Sequence, residues 1–439
     1  MERIVVKFGG SSVAEAAQFR KVRDIVLADP RRQVVVVSAP GKRRADEAKL
    51  TDLLYLCADM AATGTSFAEP FALIRDRFVG IATELGLSAA IGDEVTAFGD
   101  ALKDGCTRDF VASRGEFFSA RLMAQYLDAD FVDPADFITI LSNGNVDPRS
   151  YAVLGERLAD TSKRYVIAGF YGKDSRGEVK TFSRGGSDIS GSIAARAANA
   201  VLYENWTDTS GMLMADPRIV SNPKPIEEIS FREVREMSYM GASVFHDEAI
   251  IPVREAGIPI CIKNTNQPLD AGTRIVPTLS EKTIANTEIA GVSGKKAFTM
   301  ICVEKTLMNK TVGFTHKLLG IFADFGVSVE HCPSSIDSIN IIVEDAQLKD
   351  RHEEVLAEIR KQLEPDSVTI EKDLALVAVV GEGMTQAIGV AAKIFAALRD
   401  ARVNVRVINQ GASEINLIVG VASSDYEKSL RAIYDAFVK

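Results

Sequence analysis

The chain has 439 residues, 46% of them apolar and 25% charged, which is enough for two or three hydrophobic cores. Its net charge of -9 at pH 7 argues against a nucleic-acid binder or a basic membrane-surface protein, while leaving room for a local cationic pocket. There is no apolar run near the about 20 residues of a membrane span and no signal-peptide pattern. The five cysteines (Cys57, Cys106, Cys261, Cys302, Cys332) form no C-x-x-C pair, so a cytoplasmic protein with reduced thiols is expected.

Two kinds of hydrophobic pattern divide the chain. IVVKF, just before Gly9, and VVVVS at 34–38 are β-branched runs without alternation, which predicts parallel strands buried on both faces. Between them Val13, Ala16, Phe19, Val22 and Ile25 recur at helical spacing, and Ser12 with Glu15 reads as a capping box that starts this helix at Ser12. Strand, glycine turn, helix and strand open a parallel α/β sheet. A helical pattern fills about 52 to 128, and strand-like runs return at 165–169, 201–206 and 258–262. One α/β domain up to about residue 275 is expected.

After a polar connection near 277–288, the order strand, helix, strand, strand, helix occurs twice, over about 298–362 and about 374–437. Ser338–Val343 (SINIIV) matches Glu414–Val419 (EINLIV) in pattern, so an internal duplication is expected. Such units leave an open sheet edge, which side-by-side pairing would cover.

Four stretches carry chemistry. Lys7-Phe8-Gly9-Gly10-Ser11-Ser12 joins the first strand to the first helix. Its glycines let backbone N–H groups approach an anion, and Lys7 suits a phosphoryl group; a plain strand-to-helix turn is the alternative. In a second glycine turn, SRGGSD, Arg184 suits bidentate capture of a carboxylate and Asp188 suits orienting a lysine or an amine. Ser187 or Asp188 would equally cap the helix that follows. Thr207-Asp208, Gly211 and Asp216-Pro217-Arg218 read as a strand end and an ordered loop, where nucleotides bind in open α/β sheets. Ser113-Arg114-Gly115-Glu116 reads as the start of an apolar helix, where Glu116 would accept an ammonium or merely complement the helix dipole.

In order and spacing, KFGGSSVA, SAPGK with Lys49-Leu50-Thr51-Asp52, SRGE, SRGGSD, WTDTSG with ADPR, and EMSYMGASVFHDEAI resemble the aspartate kinases of the amino acid kinase superfamily. The C-terminal duplication resembles their paired ACT domains, so the resemblance covers essentially the whole chain. It implies a three-layer αβα kinase domain with a mainly parallel sheet over 1–278, then over 279–297 a connection and a strand, near 289–293, that completes the second ACT unit. Two βαββαβ, ferredoxin-like ACT domains would follow at 298–372 and 373–439. The implied reaction is ATP with L-aspartate giving 4-phospho-L-aspartate and ADP, the first step towards lysine, threonine and methionine.

By the same resemblance Lys7, Arg184 and Asp188 are catalytic. ATP is held by Lys7, Phe8, Gly9, Gly10, Ser11, Thr207, Asp208, Gly211, Asp216, Arg218, Ser243 and Val244, with Mg²⁺ carried mainly on its phosphates and no protein metal site. Aspartate is held by Ser38, Thr51, Glu116, Arg184 and Ser187. Ser243 stands where family members often carry lysine, which leaves Lys263 or Arg218 as the second cation; His246 reads as structural. The ACT pair implies an amino acid effector, lysine first and threonine second, bound between chains of a homodimer or larger homo-oligomer. Met308, Phe314, Ser328, Val329, Glu330, Ser334 and Ser335 would contact it, with Glu330 on its ammonium. A glutamate kinase-like enzyme and a catalytically silent amino acid-binding regulator are the other readings, and intact Lys7, Arg184, Asp188 and Glu116 argue against the silent one.

Overall fold

In a computed structural model, the structure describes residues 2–183, 185–242 and 247–438, so Arg184, Ser243, Val244 and His246 lie outside the described residues. The chain divides into two compact units. The first comprises 1–212, 225–234 and 244–279, and the second 213–224, 235–243 and 280–439. Two segments of the expected 1–278 domain thus pack with the second unit, where Ala215 and Val220 join its apolar core. No helix of the described residues is long and apolar enough to cross a membrane.

In the first unit the strands are β1 (Ile4–Phe8), β2 (Arg32–Val37), β3 (Asp130–Val132), β4 (Tyr165–Ala168), β5 (Tyr171–Lys173), β6 (Val179–Thr181), β7 (Leu202–Thr207), β8 (Glu228–Ser230), β9 (Ile260–Asn264) and β10 (Thr273–Val276). Eight of them form one sheet in the order β3-β4-β2-β1-β7-β9-β10-β8, and β5 pairs with β6 separately. The pairs from β3 to β9 are all parallel; β10 runs antiparallel to β9 and carries β8 with it. Alternation assigns the two faces. Ile4, Val6, Phe8, Val35, Val37 and Trp206 pack in the large core formed with the helices between 16 and 127. The residues between them, Lys7 and Asn205 included, face the helix Gly186–Ala197. Phe8 stacks on Trp206 at 6.0 Å between ring centroids, which locks β1 against β7 on the core side.

Two local expectations change. Ser12 does not start the first long helix: Gly10–Val13 is a 3₁₀ turn, and the helix is Ala16–Ala28. Ser12 Oγ instead meets Thr265 Oγ1 at 2.7 Å, a buried hydrogen bond across the sheet that no local capping box competes with. SRGE is not a helix start either. Ser113–Glu116 lies inside the helix Arg108–Leu127, capped by Thr107, whose hydroxyl accepts from the Phe110 N–H.

The second unit is built on a five-stranded antiparallel sheet, in the order β12-β11-β13-β15-β14. The strands are β11 (Gly291–Glu304), β12 (Ser338–Glu344), β13 (Ser367–Val380), β14 (Val407–Asn409) and β15 (Asn416–Ala422). β11 and β13 are each 14 residues long and run through both halves. β12 pairs with 298–304 of β11, whereas β15 pairs with 374–380 of β13. Residues 291–295 of β11 pair with 376–380 of β13, giving the later half its fourth strand. Ala297 (φ 71°) and Asp373 (φ 60°) adopt left-handed backbone where the register shifts, so both long strands kink between the halves. Each half has its own apolar core, one around Leu318, Phe322 and Ile341, the other around Ile394, Val419 and Leu430.

Candidate active site

At the C-terminal ends of β1, β2, β4 and β7 the first unit gathers most of the predicted residues. Lys7 is 7% exposed although it sits in an apolar strand. Its Nζ lies 2.5 Å from Asp188 Oδ1, on the first turn of the helix Gly186–Ala197. A buried ammonium needs such a partner, because unpaired it would be driven to its neutral form. Asp188 is therefore not a helix cap. The capping position belongs to Gly185, at φ 60°, with no side-chain cap. Asn205 Nδ2 donates to the same Asp188 oxygen at 2.8 Å.

The KFGGSS turn packs backbone to backbone. Gly9 N–H donates to the Trp206 carbonyl at 3.0 Å, and Gly41 N–H donates to the Gly10 carbonyl at 2.8 Å. A Cβ on Gly41 would lie 2.6–2.8 Å from Gly10 and Ser11 backbone atoms, so only glycine allows this approach. Arg77 holds the loop down, donating to the Gly41 carbonyl at 2.9 Å and pairing with Glu47. Phe8 is buried in the core and offers the turn only its backbone. Ser38 continues from β2, its N–H on the Phe8 carbonyl at 3.1 Å. Ser187 lies against Gly169, where a Cβ would be 2.7 Å from its Oγ.

Glu116 comes in from the helix Arg108–Leu127 and is 4% exposed. Burial pushes its carboxyl up to about 8, against the pull of the Ala39 N–H and the Lys7 charge. Its Oε2 is buried with no hydrogen-bond partner among the described residues. A buried carboxyl oxygen without a donor is costly, and an ammonium would satisfy it. Thr51 stands half-buried in the first turn of the helix Leu50–Ala62.

Thr207 ends β7, its hydroxyl 3.2 Å from Asp208 Oδ1, and Gly211 (φ 104°) turns the following loop against Thr273. Asp216 and Arg218 belong to the second unit, where they pair bidentately with each other at 2.6–3.1 Å. Lys263 is in register with Trp206, next to the Lys7–Asn205 pair. Alternation puts it on the opposite face from Lys7, with its Nζ 5.5 Å from the Trp206 ring centroid. It is therefore not a second phosphate cation beside Lys7. The predicted effector residues also divide. Met308 and Phe314 are buried in the core of the earlier half, while Ser328, Ser334 and Ser335 are exposed. Glu330 accepts a hydrogen bond from the Tyr239 hydroxyl.

Motif reading gave no role to Asn205, Arg77 or Thr265, nor to Gly41 although it lies in SAPGK. Asn205 left a signal too, as an amide inside a strand that should be apolar on both faces. A cavity of about 930 Å³ lined by Tyr55, Asp109, Thr181, Phe182 and Ser183 opens in the same unit, but neither Lys7 nor Asp188 lines it. The paired cation and orphaned carboxyl, rather than cavity size, mark the site.

Comparison with known proteins gives the family. Residues 2–264 match the amino acid kinase family, and 377–437 match an ACT domain. The chain is 41% identical to Aspartokinase 3 of Bacillus subtilis, over 99% of this chain and 98% of that one. The structure of Clostridium acetobutylicum aspartate kinase superposes with a TM-score of 0.94 at 47% identity, covering 99% of this chain and 100% of that one. E. coli aspartokinase III has been solved with aspartate and ADP in an R-state and with lysine and aspartate in a T-state. Both match at a TM-score of 0.75 and at 27% and 26% identity, covering 100% of each chain. Fold and site together define a kinase of small amino acids with an appended ACT-type regulatory region. Within that class the chain belongs to the aspartokinases, ATP-using phosphotransferases whose acceptor is a carboxylate.

Proposed function

We propose that the chain transfers the γ-phosphoryl group of ATP to the side-chain carboxylate of L-aspartate in the cytoplasm, giving 4-phospho-L-aspartate and ADP ahead of lysine, threonine and methionine synthesis. The observation that supports this most is the buried Lys7, held on Asp188 beside a glycine turn and a donor-less Glu116 oxygen. In this reading Lys7 and the amide of Gly10 take up the charge that develops on the transferring oxygens; the Gly9 amide, expected to join them, is already engaged by the Trp206 carbonyl. Aspartate's carboxylate is already ionised, so no side chain acts as its base. Positioning supplies most of the rate.

Arg184 clamps a substrate carboxylate, Glu116 takes the ammonium, and Ser38, Thr51 and Ser187 line the pocket. Thr207, Asp208 and Gly211 hold the nucleotide. Mg²⁺ rides on the nucleotide phosphates, neutralising their charge. Asp188 is engaged by Lys7 and Asn205. In the second unit an amino acid effector, lysine before threonine, meets Glu330 with its ammonium and Ser328, Val329, Ser334 and Ser335 around it. Met308 and Phe314 would offer it main chain only, their side chains being in the core. Pairing of ACT edges makes a homodimer or larger homo-oligomer.

Trapping the acyl phosphate with hydroxylamine tests this. Aspartate with ATP and Mg²⁺ should give a hydroxamate, glutamate should not, and lysine should suppress it. Hydroxamate from glutamate alone, or from neither acid, would sink the proposal.

A further inference from the structure

Beside the Lys7–Asp188 pair the chain buries one more polar side chain than the pair itself requires. Asn205 is 4% exposed in the middle of β7, flanked by the buried Glu204 and Trp206. Those two face the other way, where the Trp206 indole donates to Glu204 Oε2 at 2.9 Å. Asn205 is the register partner of Lys7 on β1. Its Nδ2 donates at 2.8 Å to Asp188 Oδ1, the oxygen that also holds the Lys7 ammonium at 2.5 Å. We propose that Asn205 is a positioning residue for phosphoryl transfer, fixing the Asp188 carboxylate so that Lys7 stays aimed at the KFGG turn. The inference rests on the roles given to Lys7 and Asp188 under the proposed function.

The physical need is plain. A carboxylate rotates freely about its terminal torsion, which has broad, roughly two-fold wells. One ion pair to a flexible lysine does not choose among them. A second donor, rigid and on the neighbouring strand, does. The main chain of Asp188 is restrained as well, since the Tyr203 hydroxyl donates to its carbonyl at 3.2 Å. Helix and sheet thus hold one residue at two points. Lys7 on β1 and Asp188 on the helix are the charged groups that meet Asn205; its amide is neutral, so it adds direction without adding charge. Misplacing a catalytic group by about an ångström can cost about a hundred-fold in rate.

The test is steady-state kinetics on full-length chain carrying Asn205→Ala or the isosteric Asn205→Asp, with ATP, Mg²⁺ and aspartate. The expected result is a kcat lower by about ten-fold or more, with both KM values within about two-fold of wild type. Asn205→Asp keeps the size but places a carboxylate where Asp188 needs a donor, so its kcat should fall at least as far. A tie that served the fold alone would lower the melting temperature without separating kcat from KM. Wild-type kcat in Asn205→Asp overturns the proposal, whether or not Asn205→Ala folds. Lys7→Ala serves as the control. If it keeps wild-type turnover, the roles of Lys7 and Asp188 fail and this inference with them; if it is inactive while Asn205→Asp is fully active, only the inference fails.

Discussion

Glu116 is a buried carboxyl, and its proposed role at the ammonium makes its titration part of the aspartate affinity. Below about pH 8 the free site holds it protonated, because burial outweighs the pull of Ala39 and Lys7. An incoming ammonium favours the carboxylate, so binding must release a proton there. KM for aspartate should therefore fall as pH rises from about 6, by up to about ten-fold per unit, and level off above about 8. Glu116→Gln should raise KM and flatten that slope. A pH-independent KM in the wild type would remove Glu116 from the ammonium site. Trp206 works on the other face of the same strands, 1% exposed between Phe8, Arg32 and Lys263. Trp206→Ala should destabilise the first unit by roughly 3–5 kcal/mol in denaturant unfolding, a loss of packing and not of chemistry.

At the scale of elements, strand periodicity was easier to read than helix starts. Parallel strands buried on both faces announce themselves as β-branched runs, and β1, β2 and β4 fall where those runs predict. The capping box at Ser12 misled because the hydroxyl has a better partner 253 residues away in Thr265. SRGE misled because the helix holding it begins earlier, at Arg108, and is buried along much of its length. The KFGG and SRGGSD stretches were legible as glycine turns leading from a strand into a helix. The clamp of Gly41, Arg77 and Glu47 was not, since only tertiary packing brings it to the turn. In the second unit the Tyr239 hydroxyl donates to Glu330, the residue assigned to the effector's ammonium. If an effector must displace it, Tyr239→Phe should tighten lysine binding by about ten-fold or more in calorimetry, in line with a hydrogen bond to a charged group. Unchanged or weaker binding would contradict that assignment of Glu330.

On the scale of the molecule, the duplication was visible in the repeated SINIIV and EINLIV patterns, yet their sharing of two continuous strands was not. A local pattern reports where a strand is apolar; the exposed stretch at 371–373 looked like a break but is a kink inside β13. The same limit applies to the unit border, because 213–224 and 235–243 join the second unit through packing that sequence order does not reveal. Every role proposed for the site turns on Lys7 being the cation that stabilises phosphoryl transfer. Lys7→Ala measured for ADP release with aspartate decides it. Turnover should fall by about a thousand-fold or more while calorimetric binding of lysine is retained; a variant keeping more than about a tenth of wild-type kcat would contradict it.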